Sequence, residues 1–192
     1  DYNLVAAEPA EDPPTGEILG EIYNHDFSGM EFGVIDYANK TRTTISSAQN
    51  VYAAMGIAKD GYAYGVASDG NLYKIDRNTG AETLVGATGL TLTDSEGAFY
   101  FQTGEIDPKT NTFYWSATTA DGATALYTVD LTTGAATKLG DYSSDWTEFN
   151  SVGMMIPAPA AEAAAPAAVT DLAVNFVDGN TTGTVSFTAP AK

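Results

Sequence analysis

The stretch LYKIDRNTGAETLVG, residues 72–86, decides the fold of this chain because it occurs twice. The second copy, LYTVDLTTGAATKLG, occupies residues 126–140, and ten of its fifteen positions are identical to the first or exchange one aliphatic residue for another. Each copy reads as two alternating apolar and polar segments separated by an Asp-x-x-Thr-Gly turn, which is the pattern of a β-hairpin. A hairpin that recurs at a fixed spacing indicates a repeat architecture built from strands.

Other strand-like segments accompany the hairpins. A weaker hairpin copy lies at residues 32–46, which is 40 positions before residues 72–86. A further strand-like run precedes each hairpin, and these runs are residues 18–23, 62–68 and 113–118. Glycine-centred segments at residues 53–61 and 101–110 open the last two units, and a similar segment at 150–158 follows the third hairpin. We therefore expect residues 150–156 to form an extra first strand, and the first unit to lack one.

The units predict the fold class. Four short strands over 40 to 54 residues, with no convincing helical period, are typical of a β-propeller blade. The sequence therefore predicts an all-β chain with about three four-stranded antiparallel blades. Gly56, Gly104 and Gly153 recur in the first strand of successive units, where a small residue suits the crowded centre of a propeller.

Three blades are fewer than the four that a propeller normally needs to close. Three explanations stay open from the sequence. The chain is a fragment of a longer protein, two chains combine their blades into one homodimeric ring, or the last strand closes onto the first unit.

Composition divides the chain into four parts. Residues 1–16 are acidic and contain three prolines, and we expect an extended lead-in there. Residues 17–157 hold the blades, and residues 158–168 form a linker rich in Pro and Ala. In residues 169–192 two alternating apolar runs flank a DGN turn, which predicts two strands of a β-sandwich.

The charge excludes several classes of partner. The chain has 8 Lys and Arg against 25 Asp and Glu, a formal net charge of −17, so we expect no nucleic acid and no anionic membrane surface as a partner. It contains no Cys, which excludes disulfides and thiolate metal sites. No apolar run reaches the roughly 18–20 residues that a membrane-spanning helix needs, so we expect a chain that does not span a membrane.

Two families resemble parts of the chain. The segment VTDLAV…GTVSFTAPAK, within residues 169–192, resembles the opening of a fibronectin type III domain. The hairpins at 72–86 and 126–140 resemble those of secreted Bacteroidetes-type surface β-propeller proteins, in which fibronectin type III modules often follow the propeller. The resemblance implies an extracellular or cell-surface protein whose signal has already been removed. Quinoprotein propellers end a similar hairpin in Trp, whereas Thr83 and Thr137 stand here, so no quinone cofactor is expected.

The best candidate for a ligand-binding site is the stretch DYSSDWTEFN, residues 141–150. Aromatic rings stack on sugar faces, and neighbouring carboxylates read the hydroxyl groups. The predicted ligand-binding residues are Tyr142, Asp145, Trp146 and Glu148.

The sequence offers few residues suited to a catalytic site. His25 is the single histidine, so neither a transition-metal site nor a Ser-His-Asp system is expected. Paired carboxylates could hydrolyse a glycan; the candidates are Glu96, Glu105, Asp107, Asp145 and Glu148. Glu105 is the weak catalytic candidate because it follows Gly104 on a predicted inner strand. Turn residues such as Asp76 and Asp130 are expected to bind backbone amides. No cofactor is predicted, and calcium in an inter-blade loop stays an open alternative.

These observations favour a non-catalytic extracellular binding or adhesion module that recognises a glycan or a protein. Two alternatives stay open. One is a glycan-active hydrolase or lyase that uses carboxylates at the propeller mouth, and the other is a structural assembly subunit. The sequence leaves open whether the protein is an enzyme.

Overall fold

The structure is a computed structural model that describes residues 6–12, 15–23, 29–48, 50–92, 98–145, 147–151, 153–156, 170–176, 179 and 183–188. The chain divides into two compact units, Asp1–Ala158 and Pro159–Lys192. Among the described residues, no helix is long and apolar enough to cross a membrane.

The described residues of the first unit form three four-stranded antiparallel sheets, which we call blades 1, 2 and 3. Blade 1 consists of β1 (Ala6–Asp12), β2 (Glu17–Tyr23), β3 (Met30–Asp36) and β4 (Thr41–Ser47). Blade 2 consists of β5 (Tyr52–Ile57), β6 (Ala63–Ala67), β7 (Asn71–Ile75) and β8 (Glu82–Ala87). Blade 3 consists of β9 (Thr103–Ile106), β10 (Phe113–Thr118), β11 (Thr124–Val129) and β12 (Ala136–Ser143). Within each blade, every strand is hydrogen-bonded to the next in chain order, so the predicted all-β fold of propeller blades is confirmed.

Two expectations about the ends of the repeat are wrong. The lead-in contains β1, which pairs with β2 and gives blade 1 its own first strand. Pro9 lies where the β1–β2 register shifts, between Ala7 and Ala10, because a proline cannot donate to the ladder. Residues 150–151 and 153–156 form no strand, so the expected extra first strand is not found over them.

The same irregularity occurs in the outer hairpin of every blade. Residue 32 pairs with Ser46 and residue 33 with Thr44, so Ile45 is left without a cross-strand partner. The register skips Val85 in blade 2 and Leu139 in blade 3 in the same way. A bulge of this kind increases the local twist of the outer strand and redirects a side chain.

The core lies between successive blades. One buried cluster joins Leu19 and Phe32 of blade 1 to Met55 of blade 2, and a second joins Leu72 of blade 2 to Trp115 of blade 3. Burial of side chains of this size contributes roughly 1.5–3 kcal/mol each. Both β5 and β6 are buried along their whole length, because blade 2 has a neighbour on each side.

The innermost strands β1, β5 and β9 converge: β5 contacts both of the others, and β1 also contacts β9. A Cβ added at Gly56 in β5 would lie 2.6 Å from the backbone nitrogen of Ile106 in β9. A Cβ added at Gly104 would lie 2.7 Å from the Cβ of Ala54. Gly56 and Gly104 therefore permit the close approach of the inner strands that the repeat predicts. At Gly153, no heavy atom lies within 4 Å of an added Cβ.

The second unit contains a hairpin of β13 (Ala173–Phe176) and β14 (Gly183–Ser186). The backbone N–H of Thr188 donates to the carboxylate of Asp171, at 2.9 Å from Oδ2, beside this hairpin. Among the described residues of this unit, the large apolar side chains that are exposed are Leu172, Val174, Val185 and Phe187. The predicted linker, residues 158–168, lies outside the described residues.

Candidate functional site

The antiparallel order gives the blades two distinct ends. We call the end that carries the turns 37–40, 76–81 and 130–135 the hairpin end. The other end carries the described residues that follow the outer strands, which are 48, 50–51, 88–92, 98–102, 144–145 and 147–150, and we call it the crossover end. The described residues of the predicted ligand-binding stretch lie at the crossover end of blade 3.

Two aromatic rings in this stretch form a pair. Tyr142 lies near the end of β12, is 38% exposed, and has its ring centroid 5.1 Å from that of Phe149. The two rings are inclined by 60° to each other. The carbonyl of Phe149 accepts a hydrogen bond of 2.8 Å from the hydroxyl of Thr124 at the start of β11. The pair is therefore fixed to blade 3 while both rings face solvent.

The acidic residues of the stretch are tied into a local hydrogen-bond network. The Asp145 carboxylate accepts a hydrogen bond of 2.8 Å from the backbone N–H of Thr147, which lowers the pKa of Asp145. The hydroxyl of Ser143 lies 2.7 Å from Oε2 of Glu148 and accepts the backbone N–H of Asp145 at 3.1 Å. This arrangement places two exposed carboxylates in the same turn as the aromatic pair. Trp146 lies outside the described residues.

Glu105 occupies the innermost strand of blade 3, near the hairpin end, so it lies apart from Tyr142. Its Oε1 accepts a hydrogen bond of 2.8 Å from the backbone N–H of Ile106, and its side chain is half-buried. Asp107 belongs to the next turn, where its carboxylate accepts the N–H of Lys109 at 2.8 Å and the hydroxyl of Thr110 at 2.7 Å. Glu96 and His25 lie outside the described residues.

The aspartates of the hairpin end stabilise its turns, as the sequence predicts. Asp76 Oδ1 accepts the backbone N–H groups of Asn78 at 2.8 Å and Thr79 at 3.0 Å. Asp130 Oδ1 accepts the N–H of Thr132 at 2.7 Å and that of the next residue at 2.9 Å. These backbone hydrogen bonds lower the pKa of both carboxyl groups.

One cluster was not predicted. The ammonium group of Lys74 lies 2.8 Å from Asp60 Oδ2 and 3.8 Å from the ring centroid of Tyr62, and the hydrogen bond to Asp60 raises the pKa of Lys74. The hydroxyl of Tyr64 donates to the same carboxylate at 2.9 Å. The sequence feature that could have predicted this cluster is Lys74 itself, a cationic residue at a repeat position that holds Val or Thr in the other blades. The cluster lies at the hairpin end of blade 2.

The described residues line grooves at the hairpin end. One of about 420 Å³ lies between blades 1 and 2, with Val34 and Ile45 on one side and Arg77 on the other. Another, of about 450 Å³, lies on blade 3 and includes Thr128 and Thr137 in its wall.

Within the described part of the chain, no group of three or more His, Cys, Asp or Glu side chains could hold a metal ion.

Comparison with known proteins identifies a family. Residues 28–155, two thirds of the chain, match DUF6923, which is described as a repeat of unknown function. No curated protein sequence gives a significant match.

Solved structures support the fold. TolB from Acinetobacter baumannii is 20% identical with a TM-score of 0.51, and the match covers 95% of this chain and 43% of that one. A chain from the crystal structure of a nidogen/laminin complex is 15% identical with a TM-score of 0.50, and the match covers 71% of this chain and 48% of that one. Both neighbours are β-propeller-like, and this chain spans less than half the length of each.

Proposed function

Because this chain belongs to the DUF6923 family of repeat proteins, we propose that its blades form a non-catalytic binding module and that its ligand is a glycan. The observation that carries the proposal is the pairing of Tyr142 with Phe149 beside the carboxylates of Asp145 and Glu148. We include Trp146 among the proposed ligand-binding residues because the sequence predicts it there.

The chemistry of the stretch suits a sugar. Solvent-exposed aromatic rings offer a flat apolar surface for the C–H face of a pyranose, and carboxylates accept hydrogen bonds from its hydroxyl groups. The Asp145 carboxylate, whose pKa the Thr147 N–H lowers further from an already acidic value, is ionised and therefore acceptor-only at neutral pH. The network through Ser143 also holds Glu148 in place before a ligand arrives, which reduces the entropy lost on binding.

We place the module outside the cell or on its surface. The resemblance of residues 169–192 to the start of a fibronectin type III domain supports this location. The hairpin of β13 and β14 is compatible with the first two strands of such a domain. A Pro- and Ala-rich linker before it would then connect the blades to a stalk.

A protein ligand is the second candidate. It is favoured by the likeness to a chain from a nidogen/laminin complex, in which one protein binds another. In that case the same exposed aromatic pair would act as an anchor at a protein interface, where tyrosine is enriched.

The test is a glycan array probed with the full chain, followed by calorimetric titration of the glycans that bind. We expect Tyr142→Ala to weaken binding roughly tenfold, or about 1.4 kcal/mol. Tyr62→Ala is the matched control, because Tyr62 is 37% exposed but lies at the hairpin end. No binding across the array, or an equal loss in both variants, contradicts the proposal.

The same titration separates binding from catalysis. Glu105→Gln should bind the glycan as the unchanged chain does, and no glycan should be cleaved by either protein. Cleavage that Glu105→Gln abolishes would instead identify a glycan-active enzyme with its carboxylate on β9.

A further inference from the structure

A second aromatic pair lies at the crossover end of blade 3, just before β9. Phe99 and Tyr100 belong to one turn of 3-10 helix, Ala98–Tyr100, and their ring centroids are 5.4 Å apart at an angle of 84°. Phe99 is partly buried and packs against the core between blades 2 and 3, whereas Tyr100 is 60% exposed. One ring of the pair therefore holds it to the blades, and the other ring faces solvent.

Hydrogen bonds fix this pair to the end of β10. The side-chain amide of Gln102 donates to the carbonyl of Phe99 at 2.9 Å, and its oxygen accepts the backbone N–H of Thr118 at 3.1 Å. The hydroxyl of Thr118 donates to the carbonyl of Phe101 at 3.2 Å. Gln102 and Thr118 are buried, so water does not compete for these bonds. The segment that carries Tyr100 is therefore held in place before any ligand binds.

The same part of the sheet holds the pair of Tyr142 and Phe149. Thr118 lies opposite Thr124 in the β10–β11 ladder, and the hydroxyl of Thr124 donates to the carbonyl of Phe149 at 2.8 Å. The two aromatic pairs are thus anchored to adjacent strands of one blade. The second pair precedes β9 and Tyr142 lies in β12, and three strand spacings, or roughly 14 Å, separate those two strands.

Two exposed tyrosine rings at this separation suit a chain of sugars. An aromatic ring stacks on the face of one sugar unit, because both surfaces are flat and apolar. One sugar unit cannot contact rings at β9 and at β12 together, whereas a chain of several linked units can. The arrangement of Tyr100 and Tyr142 therefore favours an extended ligand over a monosaccharide.

The charge of the crossover end indicates which sugars fit. Its described residues include no Lys or Arg, whereas Asp145 and Glu148 lie there as exposed carboxylates. The β6–β7 turn with Asp69 and the β10–β11 turn with Asp121 lie at the same end. A glycan with carboxylate or sulfate groups would meet like charge and no cation, which is unfavourable. The charge therefore favours uncharged sugars.

From these observations we infer that Phe99 and Tyr100 form a second subsite and that the ligand is an extended, uncharged oligosaccharide. This inference rests on the proposed glycan-binding function of the stretch around Tyr142. A short sugar binds at Tyr142, where Asp145 and Glu148 accept its hydroxyl groups, and a longer one reaches Tyr100 as well. Because the second contact is then made within one complex, affinity increases with the length of the oligosaccharide.

The experiment is calorimetric titration of the full chain with cello-, xylo- and manno-oligosaccharides, from disaccharide to hexasaccharide. In a series that binds, we expect the Kd of the hexasaccharide to be at least roughly tenfold lower than that of the disaccharide. Tyr100→Ala should remove this difference and leave the Kd of the disaccharide unchanged, whereas Tyr142→Ala should weaken binding at both lengths. Tyr100→Phe, which keeps the ring, should bind as the unchanged chain does. Oligogalacturonides of the same lengths should not bind.

Tyr37→Ala is the matched control, because Tyr37 is 54% exposed but lies in a turn at the hairpin end. Equal Kd values for disaccharide and hexasaccharide overturn the second subsite, and so does a loss in Tyr100→Ala that is the same at both lengths. Either result leaves glycan binding at Tyr142 in place. Binding of oligogalacturonides overturns the uncharged class. Failure of every oligosaccharide and every array glycan to bind contradicts the proposed function itself, and this inference with it. Circular dichroism of each variant confirms that it is folded.

Discussion

At the scale of single residues, equivalent positions of the repeat lie in different environments. Gly56, Gly104 and Gly153 occupy the same place in the repeat, but only the first two lie in tight contact with a neighbouring strand. Contacts of 2.6–2.7 Å leave no room for a methyl group, so these two glycines are needed for packing. The stability cost of a substitution therefore depends on the neighbour and not on the repeat position.

We predict that Gly56→Ala destabilises the chain by about 1–3 kcal/mol, because a Cβ would meet the backbone of Ile106 rather than a movable side chain. The corresponding decrease in the melting temperature is roughly 3–10 °C for a chain of this size. The measurement is thermal unfolding followed by circular dichroism. Gly153→Ala is the control, and its melting temperature should equal that of the unchanged chain. Equal decreases in the two variants would show that close packing at β5 is not the cause.

At the scale of elements, β1 shows that strand pairing can recruit a weak sequence. The stretch AAEPAED has neither apolar alternation nor β-branched residues, and it contains a proline. It forms a strand because β2 is buried at Leu19 and Ile22 and presents an edge of backbone donors and acceptors that must be satisfied. The bulge around Pro9 accommodates the missing donor.

We predict that deletion of residues 1–12 destabilises blade 1 and promotes aggregation, because it uncovers the edge of β2. Limited proteolysis should then cut within residues 15–48 much faster than in the unchanged chain, while β9–β12 remain protected. A deletion of residues 1–5 alone stops before β1 and is the matched control. If both deletions leave the cleavage pattern unchanged, β1 does not stabilise the blade.

At the scale of the whole molecule, the three blades differ in how many neighbours they have. Blade 2 lies between two blades, and every residue of β5 and β6 is buried. Among the described residues, blade 3 packs against another blade on one side only, and six of the eight residues of β12 are exposed. The hairpin of the second unit has two short strands, and four of the described apolar side chains in and beside it are exposed. Two strands without a packed face are marginally stable in water.

We predict that amide hydrogen exchange follows this order. Amides of β5 and β6 should exchange slowest, those of β12 faster, and those of β13 and β14 fastest, because local opening is least costly where few apolar contacts break. Hydrogen–deuterium exchange with mass spectrometry measures the three regions in one experiment. Protection of β12 equal to that of β5 in a monomeric sample would show that a neighbouring blade is not what stabilises an outer strand.

Part of the candidate site follows from local sequence. The stretch at 141–150 combines aromatic and acidic residues after the last hairpin, so its exposure and its mixture of rings and carboxylates were predictable. The pairing of Tyr142 with Phe149 and the hydroxyl of Ser143 between Asp145 and Glu148 were not, because they depend on how the turn closes. Glu105 lies near the hairpin end, whereas the aromatic pair lies at the crossover end. The sequence could not predict this separation, because it depends on the direction of β9 within the sheet.

The sequence by itself determined the repeat, the hairpins and the all-β class. Two-residue alternation and Asp-x-x-Thr-Gly turns act over a few residues, so each copy specifies its own strands wherever it stands. Only the tertiary structure decided which copies of a position are covered. Residues 150–156 resemble a first strand in sequence, but the described residues among them form none. Ile45, Val85 and Leu139 hold one bulge position, yet Leu139 alone is exposed, because burial depends on whether a next blade is present.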